Sequence, residues 1–256
     1  MFPEVNLGFV KLALFPLCGG AGLASVVSCV LVGMKRLRID AETQEKITEF
    51  IPFALLAGFL SGVLSDVLFR VGLREAMANP AKIGMTFFGA LLGCMLALAV
   101  YARVRRISVG LLMNLFLPSF ALAQAFGRIG CFCGGCCFGR PWDGGWCGVV
   151  YPEGSLPFLK YGFSRLAPVQ LVEASYLLIV FLALVLFVGF QFRAAAYLIT
   201  VGAGRFFLEF LRGDDRGSLF GLTAFSPAQA IGAMLFVAGG VRLLHLISHS
   251  KKERNK

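Results

Sequence analysis

The chain has 256 residues, of which 58% are hydrophobic and only 15% charged, and its mean hydropathy is +0.80. A water-soluble domain is about half apolar and about a quarter charged, so this composition excludes an ordinary soluble protein and indicates one that crosses a membrane several times. The net charge of +10 is explained by basic loops and their attraction to anionic lipid headgroups, because no nucleic-acid-binding motif accompanies it.

A helix needs about 20 apolar residues to cross a bilayer, and seven segments of the chain meet that requirement. In order they are roughly Gly8–Met34, Phe50–Leu73, Gly84–Ala102, Gly110–Gly127, Ala167–Gly189, Ala194–Leu211 and Phe225–Ile247. The sequence therefore predicts an all-α, polytopic integral membrane protein of about seven transmembrane helices. We expect residues 1–256 to form a single transmembrane domain.

Basic residues in the connections indicate the orientation of the chain. With the N-terminus outside, thirteen lysine and arginine residues fall on cytoplasmic segments and nine on outer segments. We therefore expect a periplasmic N-terminus and a cytoplasmic C-terminus. The long connection at residues 127–165 then lies on the periplasmic side, together with the segment that follows Leu211.

Residues 127–141 read Gly-Arg-Ile-Gly-Cys-Phe-Cys-Gly-Gly-Cys-Cys-Phe-Gly-Arg-Pro, between the fourth and fifth apolar segments. A cation at the edge of an apolar span is costly, and arginine grips phosphate at two points. Arg128 and Arg140 are therefore candidates for binding a lipid headgroup, and Arg205 and Arg212 form a second such group. The structural alternative is that these arginines snorkel to the interface or pair with nearby acids.

Arg205 and Glu209 are four residues apart and Arg212 follows three residues later, so one helix face can carry all three. Because an unpaired charge in hydrocarbon is expensive, we expect Glu209 to pair with one of the arginines. This carboxylate can orient the arginine, accept a proton, or serve only as a structural partner. Asp66, inside the second segment, is interpreted as a partner for Arg128 or Arg205, or as the end of a shorter span.

Cysteines concentrate in the same central stretch. They are Cys131, Cys133, Cys136, Cys137 and, ten residues later, Cys147. Such a group can hold a soft metal ion, form disulfides on an oxidising face, or provide thiols made reactive by arginine. The spacing matches no zinc motif and neither histidine is near in sequence, so we expect no metal and no cofactor. A disulfide, or small buried side chains in a tight loop, is favoured instead.

The order of these elements resembles the prolipoprotein diacylglyceryl transferase family. Its signature loop, Gly-Arg-x-Gly-Asn-x-x-Asn-Gly-Glu-x-x-Gly-Arg, resembles residues 127–140. Later motifs of the family are similar, in order, to Gly-Val-Val-Tyr-Pro at 148–152, Pro-Val-Gln-Leu-Val-Glu at 168–173, Gly-Ala-Gly-Arg-Phe-Phe-Leu-Glu-Phe-Leu-Arg at 202–212 and Ser-Pro-Ala-Gln at 226–229. The resemblance runs from about Phe50 to the C-terminus.

The resemblance implies a multi-pass enzyme of the bacterial inner membrane. It would move the diacylglyceryl group of phosphatidylglycerol onto the thiol of a lipobox cysteine in a prolipoprotein signal peptide, releasing glycerol phosphate. By the same resemblance, Arg128 and Arg205 would hold the phosphate, Glu209 and Arg212 would support them, and Gly139 would keep the loop tight. The remaining candidates for substrate binding are Arg140, Gln170 and Glu173.

The chain departs from the family pattern at the residues that could move a proton. The family's histidine falls at Phe88, and phenylalanine cannot take a proton from the incoming thiol. The first asparagine of the signature loop falls at Cys131 and its glutamate at Cys136. The base would then be Glu209 or a thiolate of Cys131 or Cys136. The alternatives are a sister transferase with another acceptor, and a non-enzymatic membrane protein whose cysteine loop binds a metal or cycles a disulfide.

Overall fold

The structure is a computed structural model that describes residues 4–6, 11–84, 86–214 and 226–254. Among the residues discussed above, Gly8, Phe225 and the side chain of Phe88 lie outside this description. Elements are numbered in chain order. They are strands β1 (Glu4–Asn6) and β2 (Lys11–Ala13), and helices α1 (Leu14–Arg36), α2 (Ala41–Asp66), α3 (Leu73–Ala78), α4 (Phe87–Val104), α5 (Val109–Gly134), α6 (Leu156–Tyr161), α7 (Val169–Leu186), α8 (Arg193–Leu208) and α9 (Pro227–Arg254).

The described part of the chain contains six helices that are long and apolar enough to cross a membrane. A seventh apolar helix, Gly89–Val104, is shorter and corresponds to the third predicted segment. Large side chains such as Phe59, Leu96, Ile179 and Phe187 are exposed on these helices, as expected where lipid is the solvent. The prediction of an all-α polytopic membrane protein is confirmed.

Several helix boundaries differ from the predicted ones. Helix α1 begins at Leu14, because the residues before it include the short antiparallel hairpin of β1 and β2. Helix α2 begins at Ala41 instead of Phe50, and after Asp66 the chain continues as a π-helical turn at Val67–Val71, close to the predicted end at Leu73. Asp66 accepts a hydrogen bond from the backbone nitrogen of Gly84 at 2.7 Å. Helix α5 continues past the predicted end at Gly127 as far as Gly134. Cys131 and Cys133 therefore belong to a helix rather than to a loop.

The chain divides into two compact units, which are described separately. Unit 1 comprises residues 1–30 and 114–256, and unit 2 comprises residues 31–113. A single domain over the whole chain accordingly stays a prediction.

In unit 2, helices α2 and α4 pack through small residues. A Cβ added to Gly93 would lie only 1.8 Å from the hydroxyl of Ser61, so the backbones approach as closely as a glycine permits. The Cys94 thiol donates to the Ala54 carbonyl at 3.2 Å, and the Tyr101 hydroxyl donates to the Lys46 carbonyl at 2.8 Å. In lipid, where no apolar solvent effect drives helices together, such close packing and hydrogen bonding hold the pair.

In unit 1, helices α5, α7 and α8 share an apolar core. Its buried residues are Ala121, Ala125, Leu177, Val180, Leu184, Tyr197 and Val201. Buried Asn114 accepts a hydrogen bond from the first turn of α8, at the nitrogen of Ala194, over 2.8 Å. Helices α8 and α9 cross at Gly202 and Gly232, where a Cβ on either glycine would meet the other's carbonyl oxygen within 3 Å. This packing fixes the positions of the polar residues at the ends of α7, α8 and α9.

Candidate active site

Glu173 is the centre of a buried ion-pair network in unit 1. It lies on the second turn of α7, and three arginines approach its carboxylate. Arg128 Nε lies 2.9 Å from Oε1, Arg205 Nη1 lies 3.3 Å from the same oxygen, and Arg212 Nη1 lies 3.6 Å from Oε2. Because the Glu173 side chain is only 7% exposed, its charge depends on these three partners instead of water.

Glu209 is the second acid of this network and confirms the expected pairing. Its Oε2 lies 3.2 Å from Arg205 Nη2, four residues earlier in the chain. Its Oε1 accepts a hydrogen bond from the Ser226 hydroxyl at 2.9 Å. Ser226 also caps helix α9 by accepting from the Gln229 nitrogen, while the Gln229 side chain accepts from the Ser226 nitrogen. This reciprocal capping fixes the donor that faces Glu209.

Arg212 pairs differently from what the helical spacing predicts. Helix α8 ends at Leu208 and a 3₁₀ turn covers Glu209–Leu211, so Arg212 has extended backbone. Its guanidinium binds Asp214 at two points, with Nε 3.0 Å from Oδ1 and Nη2 3.3 Å from Oδ2. Burial raises the pKa of the Asp214 carboxyl above its ordinary value, and Arg212 opposes that shift.

Gly139 and Arg140 connect the central stretch to this network through the backbone. Gly139 forms an antiparallel bridge with Arg212, and the Arg140 nitrogen donates to the Leu211 carbonyl at 3.0 Å. A Cβ added to Gly139 would lie 2.3 Å from the carbonyl oxygen of Ala167, so no larger residue fits there without movement. The Arg140 side chain itself is exposed. These bridges hold the connection against the end of α8.

Gln170, in the first turn of α7, is fully buried and fixes the other side of the central stretch. Its side-chain nitrogen donates to the Cys136 carbonyl at 2.9 Å. The Tyr151 hydroxyl, also buried, donates to the Gln170 side-chain oxygen at 3.3 Å. Burial raises the pKa of Tyr151, so this hydroxyl stays protonated. Gln170 therefore positions the cysteine stretch by gripping its backbone.

Three of the cysteines lie together beside the arginines. The sulfurs of Cys131, Cys136 and Cys137 all lie within 4.8 Å of one another. Hydrogen bonds from the Cys131 and Cys136 thiols hold the pKa of the Cys137 thiol well below its usual range, and the charges of Arg212 and Arg128 lower it further against the effect of burial. All eight cysteines are free thiols, so the favoured disulfide is not formed in this structure.

The three arginines differ in how accessible they are. Their side chains are 22% exposed for Arg128, 15% for Arg205 and 2% for Arg212. Within the described residues, Arg128 uses only Nε for an ion pair, whereas Arg212 is enclosed by Asp214 and Glu173. Arg128 is therefore the most accessible of the three guanidinium groups.

Comparison with known proteins identifies the family of the chain. The family model for prolipoprotein diacylglyceryl transferase matches residues 4–245. The chain belongs to the prolipoprotein diacylglyceryl transferase family. Among its relatives, a protein of Clostridium tetani is 30% identical over 90% of this chain and 95% of its own length. One of Dehalococcoides mccartyi is 32% identical over 98% and 95%, and one of Geobacter sulfurreducens is 32% identical over 82% of each chain. All three are named phosphatidylglycerol–prolipoprotein diacylglyceryl transferase.

As a member of this family, the chain brings most of the sequence-predicted site residues into one network. Arg128, Glu173, Arg205, Glu209 and Arg212 are linked by ion pairs. Backbone bridges come from Gly139 and Arg140, and the Gln170 side chain binds the Cys136 carbonyl. The adjoining group of thiols includes Cys131 and Cys136.

Three residues that complete the site were given no individual role by the sequence, which only grouped one with the other cysteines and placed two within family motifs. They are Cys137, Tyr151 and Ser226. The Ser-Pro-Ala-Gln sequence at 226–229 is a recognisable helix-capping signal, but nothing in it indicates that the hydroxyl also reaches Glu209. Tyr151 lies in the Gly-Val-Val-Tyr-Pro motif at 148–152, but nothing in that motif indicates its hydrogen bond with Gln170, nineteen residues later in the chain.

Proposed function

We propose that this chain transfers the diacylglyceryl group of phosphatidylglycerol to the lipobox cysteine of a prolipoprotein signal peptide, in the bacterial inner membrane. Its membership of the transferase family and the shared name of its relatives support the reaction. The observation that carries the proposal in this chain is the convergence of Arg128 and Arg205 on Glu173, beside the end of two apolar helices.

In this proposal, Arg128 and Arg205 bind the phosphate of the donor lipid. Glu173 orients both guanidinium groups through one oxygen atom, which leaves the terminal nitrogens of Arg128 for the phosphate. A planar guanidinium meets two phosphate oxygens at once, and its charge is strongest where water is excluded. Arg212 is a positioning residue here, because its side chain is enclosed and engaged by Asp214.

The reaction replaces a carbon–oxygen bond by a carbon–sulfur bond and moves the thiol proton to a base. The thiol sulfur of the acceptor bonds to the glycerol carbon as the bond from that carbon to the phosphate oxygen breaks. The bonding electrons leave with glycerol phosphate, and Arg128 and Arg205 stabilise the charge that develops there. The thiol proton passes to Glu209 or to a thiolate of Cys131 or Cys136, the acceptors that the sequence indicates in the absence of the family's histidine.

Gly139 and Gln170 contribute to the shape of the site. Gly139 allows the central stretch to lie against Ala167, and Gln170 holds the Cys136 carbonyl. Together these two contacts hold the cysteine segment, residues 131–137, beside Arg128. The exposed side chain of Arg140 is free to attract anionic headgroups to the site.

We further propose that residues 127–165 face the periplasm, with the N-terminus outside and the C-terminus in the cytoplasm. The distribution of basic residues supports this orientation. Green fluorescent protein fused after Lys256 becomes fluorescent only in the cytoplasm, so a fluorescent fusion is expected. A stably expressed but dark fusion would reverse the orientation.

Transfer can be measured directly with purified protein in vesicles. The full chain is placed in phosphatidylglycerol vesicles with a lipobox peptide, and mass spectrometry follows the peptide. We expect a diacylglyceryl mass on the cysteine, none with phosphatidylcholine alone, and none on a peptide with serine in place of cysteine. An unmodified peptide, when the Clostridium tetani relative is active in the same assay, would overturn the proposal in favour of another acceptor. Arg103→Ala, an exposed arginine of α4, is the matched variant expected to leave transfer unchanged.

A further inference from the structure

The thiol group formed by Cys131, Cys136 and Cys137 is built by a local backbone arrangement. Cys131 lies in the last turn of α5, and the chain then reverses so that the Cys136 nitrogen donates to the Cys131 carbonyl at 3.1 Å. Buried Gly135 has a φ of 71° and Cys137 a φ of 60°. A cysteine in this left-handed region is under strain that the surrounding structure must compensate. The reversal directs three sulfurs toward one point.

Contacts on both sides hold this reversal in place. The buried side chain of Gln170 donates to the Cys136 carbonyl, and buried Phe138 packs with Tyr151 and Leu166 immediately after Cys137. Two residues later, Gly139 lies in contact with Ala167. The backbone that carries the three cysteines is therefore held by the fold before any ligand arrives, which lowers the ordering cost of binding one.

The distances suit a metal ion bound by sulfur. Zinc–sulfur bonds are about 2.3 Å long, so three thiolates around one ion lie roughly 3.8–4.0 Å apart. The three sulfurs here lie within 4.8 Å of one another, so small side-chain rotations bring them to that spacing. Thiolates select soft ions over magnesium or calcium.

The surrounding charges also favour such a site. Three thiolates and a divalent ion carry a net charge of −1, and the guanidinium groups of Arg128 and Arg212 act electrostatically on the Cys137 sulfur. All three cysteines are half-buried, so the group is not sealed from solvent.

We propose that Cys131, Cys136 and Cys137 form a binding site for a soft, thiophilic metal ion of the zinc and cadmium type. The site does not depend on the proposed transferase reaction, and it revises the expectation from sequence spacing that the chain binds no metal. Spacing alone did not indicate it, because two of the ligands are adjacent in sequence and the third comes from a helix end. Binding releases the thiol protons and requires no oxidant.

Cys133 provides a matched control. It lies two residues from Cys131 on the same helix end and is equally half-buried, but it is not one of the three clustered thiols and interacts with Cys18 on α1. A serine at position 133 therefore removes one thiol from the same segment without touching the site.

The test uses the full chain in detergent micelles, reduced and freed of metal. Cadmium is titrated while the thiolate-to-metal absorption band is followed, and zinc affinity is measured by competition with a coloured chelator. We expect one tight equivalent per chain in the wild type and in Cys133→Ser. Affinity should fall at least about tenfold in each of Cys131→Ser, Cys136→Ser and Cys137→Ser. Circular dichroism identifies any variant that has lost its helices.

Three results would overturn the site. One is the absence of a tight equivalent in the wild type. Another is a loss of affinity in Cys133→Ser as large as in Cys137→Ser. The third is a disulfide between two of the three cysteines, seen as a mass lower by two hydrogens in the unreduced protein.

Discussion

The two units place ion pairs of the same residue types in opposite environments, exposed in unit 2 and buried in unit 1. In unit 2, Glu49 pairs with Arg105 and Glu75 pairs with Lys82, and the side chains in these pairs are 39–63% exposed. In unit 1, Glu173 is 7% exposed and its arginine partners are 2–22% exposed. Exposed pairs contribute about 1 kcal/mol or less, whereas removing one partner of a buried pair leaves an uncompensated charge. A buried group of charges of this kind is a candidate functional site.

Neutralising the central acid should have the largest effect. Glu173→Gln leaves the three arginines around an uncharged amide, so the free energy of unfolding should fall by about 3–5 kcal/mol. Glu49→Gln, at the exposed pair of unit 2, should change it by less than about 1 kcal/mol. Chemical unfolding of both variants in the same detergent measures the difference. Equal losses would remove the distinction between the two kinds of pair.

Replacing one arginine of the buried network and one arginine of an exposed pair should separate an effect on catalysis from an effect on stability. Arg205→Ala should slow transfer to the lipobox peptide at least about a hundredfold, because a preorganised donor to the departing phosphate is lost. Arg105→Ala should stay within about twofold of the wild type, since its partner Glu49 is exposed. Rates are compared in phosphatidylglycerol vesicles. Wild-type activity in Arg205→Ala would contradict the assignment of the phosphate site.

Glu209 distinguishes orientation from proton transfer. If it orients Arg205, Glu209→Gln should slow transfer about ten- to a hundredfold and leave the shape of the pH–rate profile unchanged. If it accepts the thiol proton, the loss should approach about 10⁴-fold and the acidic limb of the profile should disappear. Cys131→Ser and Cys136→Ser are measured alongside. The thiolate hypothesis fails if both serine variants keep wild-type rates.

Replacing the N-cap residues of α9 and α4 should give the smallest difference between the two units. Ser226 caps α9 in unit 1 and Thr86 caps α4 in unit 2, each by accepting a hydrogen bond from a backbone nitrogen. Replacing either with alanine should lower the free energy of unfolding by about 1 kcal/mol. Only Ser226→Ala should also slow transfer, because its hydroxyl donates to Glu209. A similar loss of activity in Thr86→Ala would mean that the effect is one of stability alone.

The sequence predicts the membrane helices well because apolar length alone determines where a chain can cross lipid. It also predicts the Arg205–Glu209 pair, since four residues make one helical turn. It does not reveal Glu173 as the centre of the network, because the partners of that residue lie 32 to 45 residues away in the chain. Arg212 escapes the helical pattern because α8 ends before it, and there it binds Asp214.

The clustering of the three thiols likewise could not be predicted from the sequence. The four cysteines of residues 131–137 are visible in the sequence, but their spacing does not say which three converge. That depends on α5 continuing to Gly134 and on the left-handed turn at Gly135 and Cys137. Gln170 holds the Cys136 carbonyl and Ala167 lies against Gly139, and no local sequence pattern contains these contacts.

The central claim is that Arg128 and Arg205, held by Glu173, bind the phosphate of the donor lipid. Native mass spectrometry of the protein with phosphatidylglycerol tests it most directly, by comparing bound lipid in the wild type, Arg128→Ala and Arg105→Ala. We expect Arg128→Ala to lose at least about tenfold in phosphatidylglycerol occupancy and Arg105→Ala to match the wild type. Equal occupancy in all three proteins would contradict it.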